Sequence, residues 1–406
     1  MALHGLPMLF ASSVFFLLNL FLMLKPHHGY GDGLSDPQEV GLCESSVRNH
    51  GYKCHEIDVK TQDGYILRVQ RIPEGRNLSG DSVTRPPVLL QHGVLVDGMA
   101  WFMNAPEQNL PMILADKGFD VWIANTRGTR FSRRHAYLQP NQSEFWNWSW
   151  DELAAYDLPA MFDYVYNETG QKLHYVGHSL GGLVALASFS EGLLVNKVKS
   201  AALLSPIAYL SHIKTALGVV AAKAFVTQAS TLSAEFNPKG EAAASFLKQV
   251  CAHPEVNCYD LLTAITGKNC CLNTSTVDLF SQNQPQSTST KNMVHLSQSV
   301  RDKVIAKYNY ENPNSNLIHY GAMKPPVYNL SNIPEKLPLF ISYGGQDALS
   351  DAQDVEQLLD DLKFHDVLKY TVEFVKNYAH ADFIMGVSAA DIVYDQVYKF
   401  FLNHHF

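Results

Sequence analysis

Three side chains that lie far apart in the sequence have the types acyl transfer requires. They are Ser179 within Gly177-His178-Ser179-Leu180-Gly181, Asp347 after Gly344-Gly345-Gln346, and His380 within Ala379-His380-Ala381-Asp382-Phe383. A hydroxyl is a weak nucleophile at neutral pH, so a serine that attacks an ester needs a base to take its proton. The base in turn needs a carboxylate that fixes its tautomer and stabilises its cation. Gly-x-Ser-x-Gly suits the first role: its glycines let a strand and a helix approach a sharply turned serine, which projects from the carboxyl edge of a parallel sheet. The five-residue pattern also arises by chance. Here the β-forming Leu173-His174-Tyr175-Val176 leads into it and the helix-forming Leu183-Val184-Ala185-Leu186-Ala187 leads out, which is the context a nucleophile elbow needs.

In such a fold the order is Ser, then Asp or Glu, then His, so both partners lie downstream of Ser179. Many acids and histidines follow, and placement at strand ends selects among them. Leu337-Pro338-Leu339-Phe340-Ile341-Ser342-Tyr343 reads as a buried strand with Asp347 just past its end; Tyr370-Thr371-Val372-Glu373-Phe374-Val375 reads as the next, with His380 in the following loop. Asp347 also suits a helix N-cap, and Ser350, Asp351 and Asp354 compete with it. His365, His404 and His405 compete with His380 but follow no buried strand. Negative charge developing on the carbonyl oxygen must meet fixed donors. The backbone N–H of Leu180 is one, and the loop after the short apolar strand Pro87-Val88-Leu89-Leu90-Gln91 supplies the other, assigned to Val94. His92 in that loop reads as a buried residue that braces it, not as a catalyst.

These groups require a doubly wound sheet. A strand pair at about 52–60 and 65–71, joined at Gln62-Asp63-Gly64, precedes strands near Val88, Val121, His174 and Ala201. The alternation stops after Pro206 and returns at Leu337. Residues 207–330 between them are helix-like, cysteine-bearing and interrupted by the polar run Gln282 to Thr290. An insertion there separates the nucleophile from its acid and base, so it should fold over the site as a cap. The fold class is therefore α/β, a mostly parallel doubly wound sheet with an inserted, mainly helical cap. Its organisation is a signal peptide at 1–31, core at 32–206, cap at 207–330 and core again at 331–406. Within the cap, Ala216 to Val226 is a helix that either lines an apolar cleft or packs as ordinary core. Arg127, after the strand Phe119 to Ala124, reads as a structural cation meeting Asp151, Glu152 or Asp157.

The chain resembles the acid lipase family of α/β-hydrolases, the animal gastric and lysosomal lipases with their plant relatives, and is nearest to the plant triacylglycerol lipase-like members. The resemblance runs from about Gly41 to about Phe401. It rests on Leu90-Gln91-His92-Gly93, Asn125-Thr126-Arg127-Gly128, Trp150-Asp151-Glu152-Leu153, Gly177-His178-Ser179-Leu180-Gly181, Pro325-Pro326-Val327-Tyr328-Asn329-Leu330 and Ala379-His380-Ala381-Asp382-Phe383, among others. It implies Ser179, Asp347 and His380 as the triad, Val94 and Leu180 at the oxyanion hole, and hydrolysis of neutral acylglycerols or sterol esters at a lipid–water interface. Leu180 stands where animal members commonly carry Gln, and Val94 where they carry Leu. Both changes leave the amide donors intact. The alternatives are a carboxylesterase or acyltransferase on another ester, and a catalytically silent binding protein, which would be expected to lose a triad member.

Composition sets the setting. The 406 residues are 46% hydrophobic with a net charge of −8, or −9 once a leader carrying only Lys25 is removed, which argues against nucleic-acid binding. The leader reads as a signal peptide cleaved near Gly29 to Gly33, with an uncleaved anchor as the rival reading and no stable transmembrane span expected after cleavage. Asn-x-Ser/Thr sequons at Asn77, Asn141, Asn147, Asn167, Asn273 and Asn329 and six cysteines fit a secreted protein or one of an endomembrane lumen. Asn147 lies in an aromatic run that suggests burial. Cys43 and Cys54 are close enough to staple the N-terminal segment, while Cys251, Cys258, Cys270 and Cys271 form a second group whose pairing stays open; their spacing fits no structural zinc pattern well. The chemistry calls for no metal or organic cofactor.

Overall fold

A computed structural model describes residues 40–77, 84–213, 215–228, 232–251 and 261–405. The expected leader and Cys258 lie outside them. In chain order the strands are β1 (His55–Lys60), β2 (Tyr65–Ile72), β3 (Pro87–Gln91), β4 (Asp120–Ile123), β5 (Arg134–His135), β6 (Leu173–His178), β7 (Val198–Leu204), β8 (Glu235–Phe236), β9 (Thr288–Ser289), β10 (Leu339–Gly344) and β11 (Tyr370–Val375). The main sheet runs β1-β2-β4-β3-β6-β7-β10-β11, with β5 on β2, while β8 and β9 form a separate two-stranded ribbon. β1 and β2 are an antiparallel hairpin, and β4 through β11 pair parallel along the path.

Every residue of β3, β4 and β6 is buried, as expected of parallel strands covered on both faces. Their side chains alternate between two cores. Leu89, Trp122, Tyr175, Leu203 and Ile341 enter one, whereas Val88, Leu90, Val121, Ile123, Val176 and Phe340 enter the other. The register then lines up the carboxyl ends: Gln91 pairs with Gly177, His178 with Leu204, Leu204 with Ser342, and Gly344 with Val375. The loops that follow these strands, carrying Val94, Ser179, Asp347 and His380, therefore leave the same edge of the sheet.

The expected first strand begins at His55, not Tyr52, because Tyr52 and Cys54 turn into the second core. Cys54 is bonded there to Cys43 with 5.4 Å between Cα atoms. Between β7 and β10 lie the helices Ala216–Gln228, Glu241–Cys251, Leu261–Thr266, Thr274–Asn283, Thr290–Asp302 and Pro313–Tyr320. The helix Ala216–Gln228 puts Phe225 against Phe236, Phe246 and Val250 in a small aromatic core of the insertion. The polar run is largely buried and bonded: Gln284 donates to Asp97 at 2.8 Å, and Ser289 to the carbonyl of Trp146 at 2.6 Å. All six sequon asparagines are exposed. Asn147 departs from the sequence expectation because Trp146 and Trp148 beside it take up the burial.

Candidate active site

Ser179 joins β6 to the helix Leu180–Ser190 with φ 57° and ψ −118°. A non-glycine residue in that region costs roughly 1–3 kcal/mol and persists only where its surroundings impose it. The surroundings are specific. The Ser179 N–H donates to Leu204 O at 3.1 Å, and its carbonyl accepts the amides of Gly182 at 2.9 Å and Ile207 at 3.4 Å. A Cβ on Gly177 would lie 2.7 Å from Gly181 O, and one on Gly181 would lie 2.6 Å from Gln91 O. Both glycines of the motif are thus required by close backbone approach. Gly93 is held close as well but less strictly, since its Cβ would stand 3.0 Å from Ser179 Cβ and 3.3 Å from Ser179 Oγ and would press the serine side chain aside.

Asp347 and His380 meet. His380 Nδ1 lies 3.0 Å and 3.2 Å from the two Asp347 oxygens, and both residues are almost fully buried. Asp347 also accepts the amides of Leu349 at 2.9 Å and Ser350 at 2.8 Å, so it carries the turn geometry that made a cap an alternative. Ser205, just past β7 and at φ 50°, adds a hydroxyl that donates to Asp347 Oδ2 and lies 3.0 Å from His380 Nδ1. The competing groups are engaged elsewhere. Asp351 caps the helix Ala352–Asp361, Asp354 binds His212 at 2.7 Å, and His365 donates to Leu337 O. His404 and His405 lie past the last helix, Asp395–Asn403.

No hydrogen bond joins Ser179 Oγ to His380 among the described residues; such bonds are often loose in unliganded sites. His178 brings the two halves side by side. Its Nε2–H donates to His380 O at 3.1 Å, and the two rings are 4.8 Å apart. Burial, reinforced by the neighbouring imidazole of His380, pushes the His178 pKa well below the usual histidine value, so the ring is neutral.

Leu180 is the first residue of its helix, so its N–H has no intrahelical acceptor. Val94 sits on the loop that Gly93 lets pass against Ser179. Neither amide has an acceptor outside helices and strands among the described residues. His92 fixes this loop: its Nε2 accepts the amide of Thr126 at 3.1 Å, which leaves Nδ1–H to donate to Gly93 O at 2.8 Å. Burial lowers its pKa too and favours that neutral tautomer. Behind it, buried Arg127 binds Asp157 at 2.7 Å and, across the hairpin turn, Asp63 at 2.6 and 3.0 Å, with Tyr65 under its guanidinium at 3.8 Å. The other expected partners are used differently. Asp151 accepts from Tyr328 and Tyr308, and Glu152 closes a capping box with Ser149.

Ser205, His178 and Gly93 were not singled out for roles by sequence reasoning. A serine at a strand end before proline is the only local signal Ser205 offers. One group among the described residues has metal-like proximity, Cys270, Cys271 and Asp382, but the two sulfurs are joined to each other as a disulfide and offer no thiolate.

The description "alpha/beta hydrolase fold" matches residues 86–386, and "Partial alpha/beta-hydrolase lipase region" matches 43–105. Triacylglycerol lipase 2 of Arabidopsis thaliana is 62% identical over 89% of this chain and 87% of its own length. Gastric triacylglycerol lipase of Homo sapiens is 38% identical over 94% and 96%. The chain belongs to the acid lipase family of α/β-hydrolases. A soluble variant of monoglyceride lipase from Saccharomyces cerevisiae, solved with a substrate analogue, shares the fold at a TM-score of 0.56 and 15% identity, covering 91% of this chain and 99% of that one. No helix among the described residues is long and apolar enough to cross a membrane. The chain's cysteines are oxidised there as well: Cys43 pairs with Cys54, Cys270 with Cys271, and Cys251 is disulfide-bonded.

Proposed function

We propose that the protein is a triacylglycerol lipase, a carboxylic ester hydrolase whose nucleophile is Ser179. The observation that carries this reading is the Ser179 turn. A serine at φ 57° is packed against the Gly93 loop and stands next to the His178–His380 contact, on a chain 62% identical to a named triacylglycerol lipase. Ser179 Oγ attacks the ester carbonyl while His380 Nε2 takes its proton. Asp347, bonded to Nδ1, fixes the tautomer and stabilises the imidazolium, and the Ser205 hydroxyl braces the pair. The amides of Val94 and Leu180 receive the oxyanion. His380 returns the proton to the departing alcohol, and water then repeats the sequence on the acyl-enzyme to free the fatty acid.

The insertion at 207–330 is the cap that shelters an apolar acyl chain, and the substrate is met at a lipid–water interface. Removal of the leader, glycosylation at the six sequons and residence outside the cell or in an endomembrane lumen are supported by sequon exposure and by the disulfides.

The test is hydrolysis of an emulsified long-chain triacylglycerol and of a soluble short-chain ester by secreted wild type and by Ser179→Ala. Activity on the emulsion that vanishes in the variant is expected. Activity on the soluble ester alone would make the protein a carboxylesterase, and folded protein inactive on both would favour a binding role.

A further inference from the structure

Among the described residues of the insertion, the stretch 266–272 is hydrogen-bonded to both the acid and the base loop. The carbonyl of Thr266 accepts the amide of His380 at 3.0 Å and that of Ala348 at 3.3 Å, so a single oxygen touches both loops. Gly267, at φ +93°, lies so close to the acid loop that a Cβ would stand 2.1 Å from Gln346 O. Asn269 Oδ1 accepts the amide of Ala381 at 3.2 Å. The contact centres on Asp382. Its Oδ2 accepts the amide of Ala379 at 2.8 Å and that of Cys270 at 3.1 Å, while Oδ1 accepts the amide of Cys271 at 3.1 Å. The carboxylate is fully buried, and three amides, one from the base loop and two from the insertion, are its partners.

Those two insertion amides belong to adjacent cysteines joined to each other. A bond between neighbouring side chains closes a small ring around their shared peptide and restricts how the two N–H groups can point. We propose that Asp382 is a positioning residue for His380, acting by fastening the base loop to the disulfide-closed turn Cys270–Cys271 of the insertion. The inference rests on the reading of His380 as the general base and adds to it the device that keeps the ring in place. Among the described residues the Asp382 carboxylate makes no hydrogen bond to the His380 ring. The carboxylate ties Ala379, the residue before the base, to a turn that the same stretch anchors on the acid loop, so the separation of Asp347 and His380 is set from outside the sheet. On this account the insertion must be folded before the second half of the site is competent.

The test is steady-state kinetics on folded, full-length protein, with His380→Ala as control. Asp382→Asn turns one acceptor into an NH2 facing amide hydrogens, and Asp382→Ala removes all the bonds. Each should lower kcat by about 10²-fold while KM stays within about twofold, because a small displacement of a catalytic group costs turnover and not binding. The pair Cys270→Ser and Cys271→Ser keeps both amides but opens the ring, and should give a smaller loss of the same kind. If the Asp382 variants fail to fold, this cysteine pair still decides the matter. Folded variants with wild-type kcat, or with a change in KM alone, beside an inactive His380→Ala would overturn the proposal. A His380→Ala variant with wild-type turnover would overturn the general-base reading itself, and the proposal with it.

Discussion

Ser179 stands where a strand and a helix of the main layer meet, whereas Asp347 and His380 stand on loops beyond strand ends, with a turn of the insertion bonded to both. In the nucleophile half, backbone conformation does the positioning. Gly177 and Gly181 allow backbone approaches that a Cβ would block, Gly93 allows a close pass beside Ser179, and the elements are buried on both faces. In the acid–base half, hydrogen bonds between segments remote in sequence do it: Ser205 from just past β7, residues 266–272 from the insertion and His178 from the elbow. The first half depends on shape, and the second on a network whose members come from separate parts of the chain.

The largest effects are expected at the groups proposed to carry the reaction. Ser179→Ala is expected to lower kcat by at least about 10⁴-fold with an unchanged melting temperature, and Asp347→Asn by about as much through the wrong histidine tautomer; emulsion hydrolysis and thermal melts check both. Gly93→Ala separates the halves. Its Cβ would press on Ser179 and displace the Val94 amide, so kcat should fall by about 10²-fold while the Asp347–His380 pair is undisturbed. A loss no larger than that of Ser205→Ala would mean that shape does not govern the nucleophile half. Ser205→Ala removes one donor to a carboxylate that keeps three others, and should cost about tenfold in kcat.

Acid stability offers a gentler probe. Burial pushes the pKa of His174, in β6, and of His295, stacked on Trp150, down to about 3. The folded protein then binds fewer protons than the unfolded chain below the ordinary histidine value of about 6.5, so stability is lost as pH falls from there toward 3. Asp151 acts in the opposite sense. Burial raises it from 3.8 to about 6, so the folded form takes up a proton first and gains stability as pH falls through that window. Melting temperatures between pH 7 and 4 should fall less steeply for His295→Gln and more steeply for Asp151→Asn; the reverse order would contradict the assignment. The smallest effect belongs to Asn147→Gln, which should remove one glycan mass in a secretory host with turnover unchanged.

Sequence made the elbow itself legible because its strand, its two glycines and its helix lie within a few residues of Ser179, whereas the approach of Gly93 comes from a distant loop. Asp347 and His380 were picked out by their positions after strand ends, a weaker rule: β10 is buried throughout, whereas no residue of β11, at the edge of the sheet, is buried, and the structure brings the two side chains together. The bracing groups carry no such signal. Asp63 meets Arg127 across 64 residues, and Ser205 reaches Asp347 across 142, so no local pattern announces either contact. The two-residue strands β8 and β9 are too short for any periodicity. The polar run before Thr290 looks like a solvated loop by composition, yet its Gln284 donates to buried Asp97 in the segment after β3.

The most direct test of the central claim is covalent labelling with a serine-reactive fluorophosphonate, followed by peptide mass analysis. One adduct per chain on Ser179, lost in Ser179→Ala and strongly slowed in His380→Ala, is the predicted result. Labelling of another serine, or ester hydrolysis undiminished in Ser179→Ala, would contradict it.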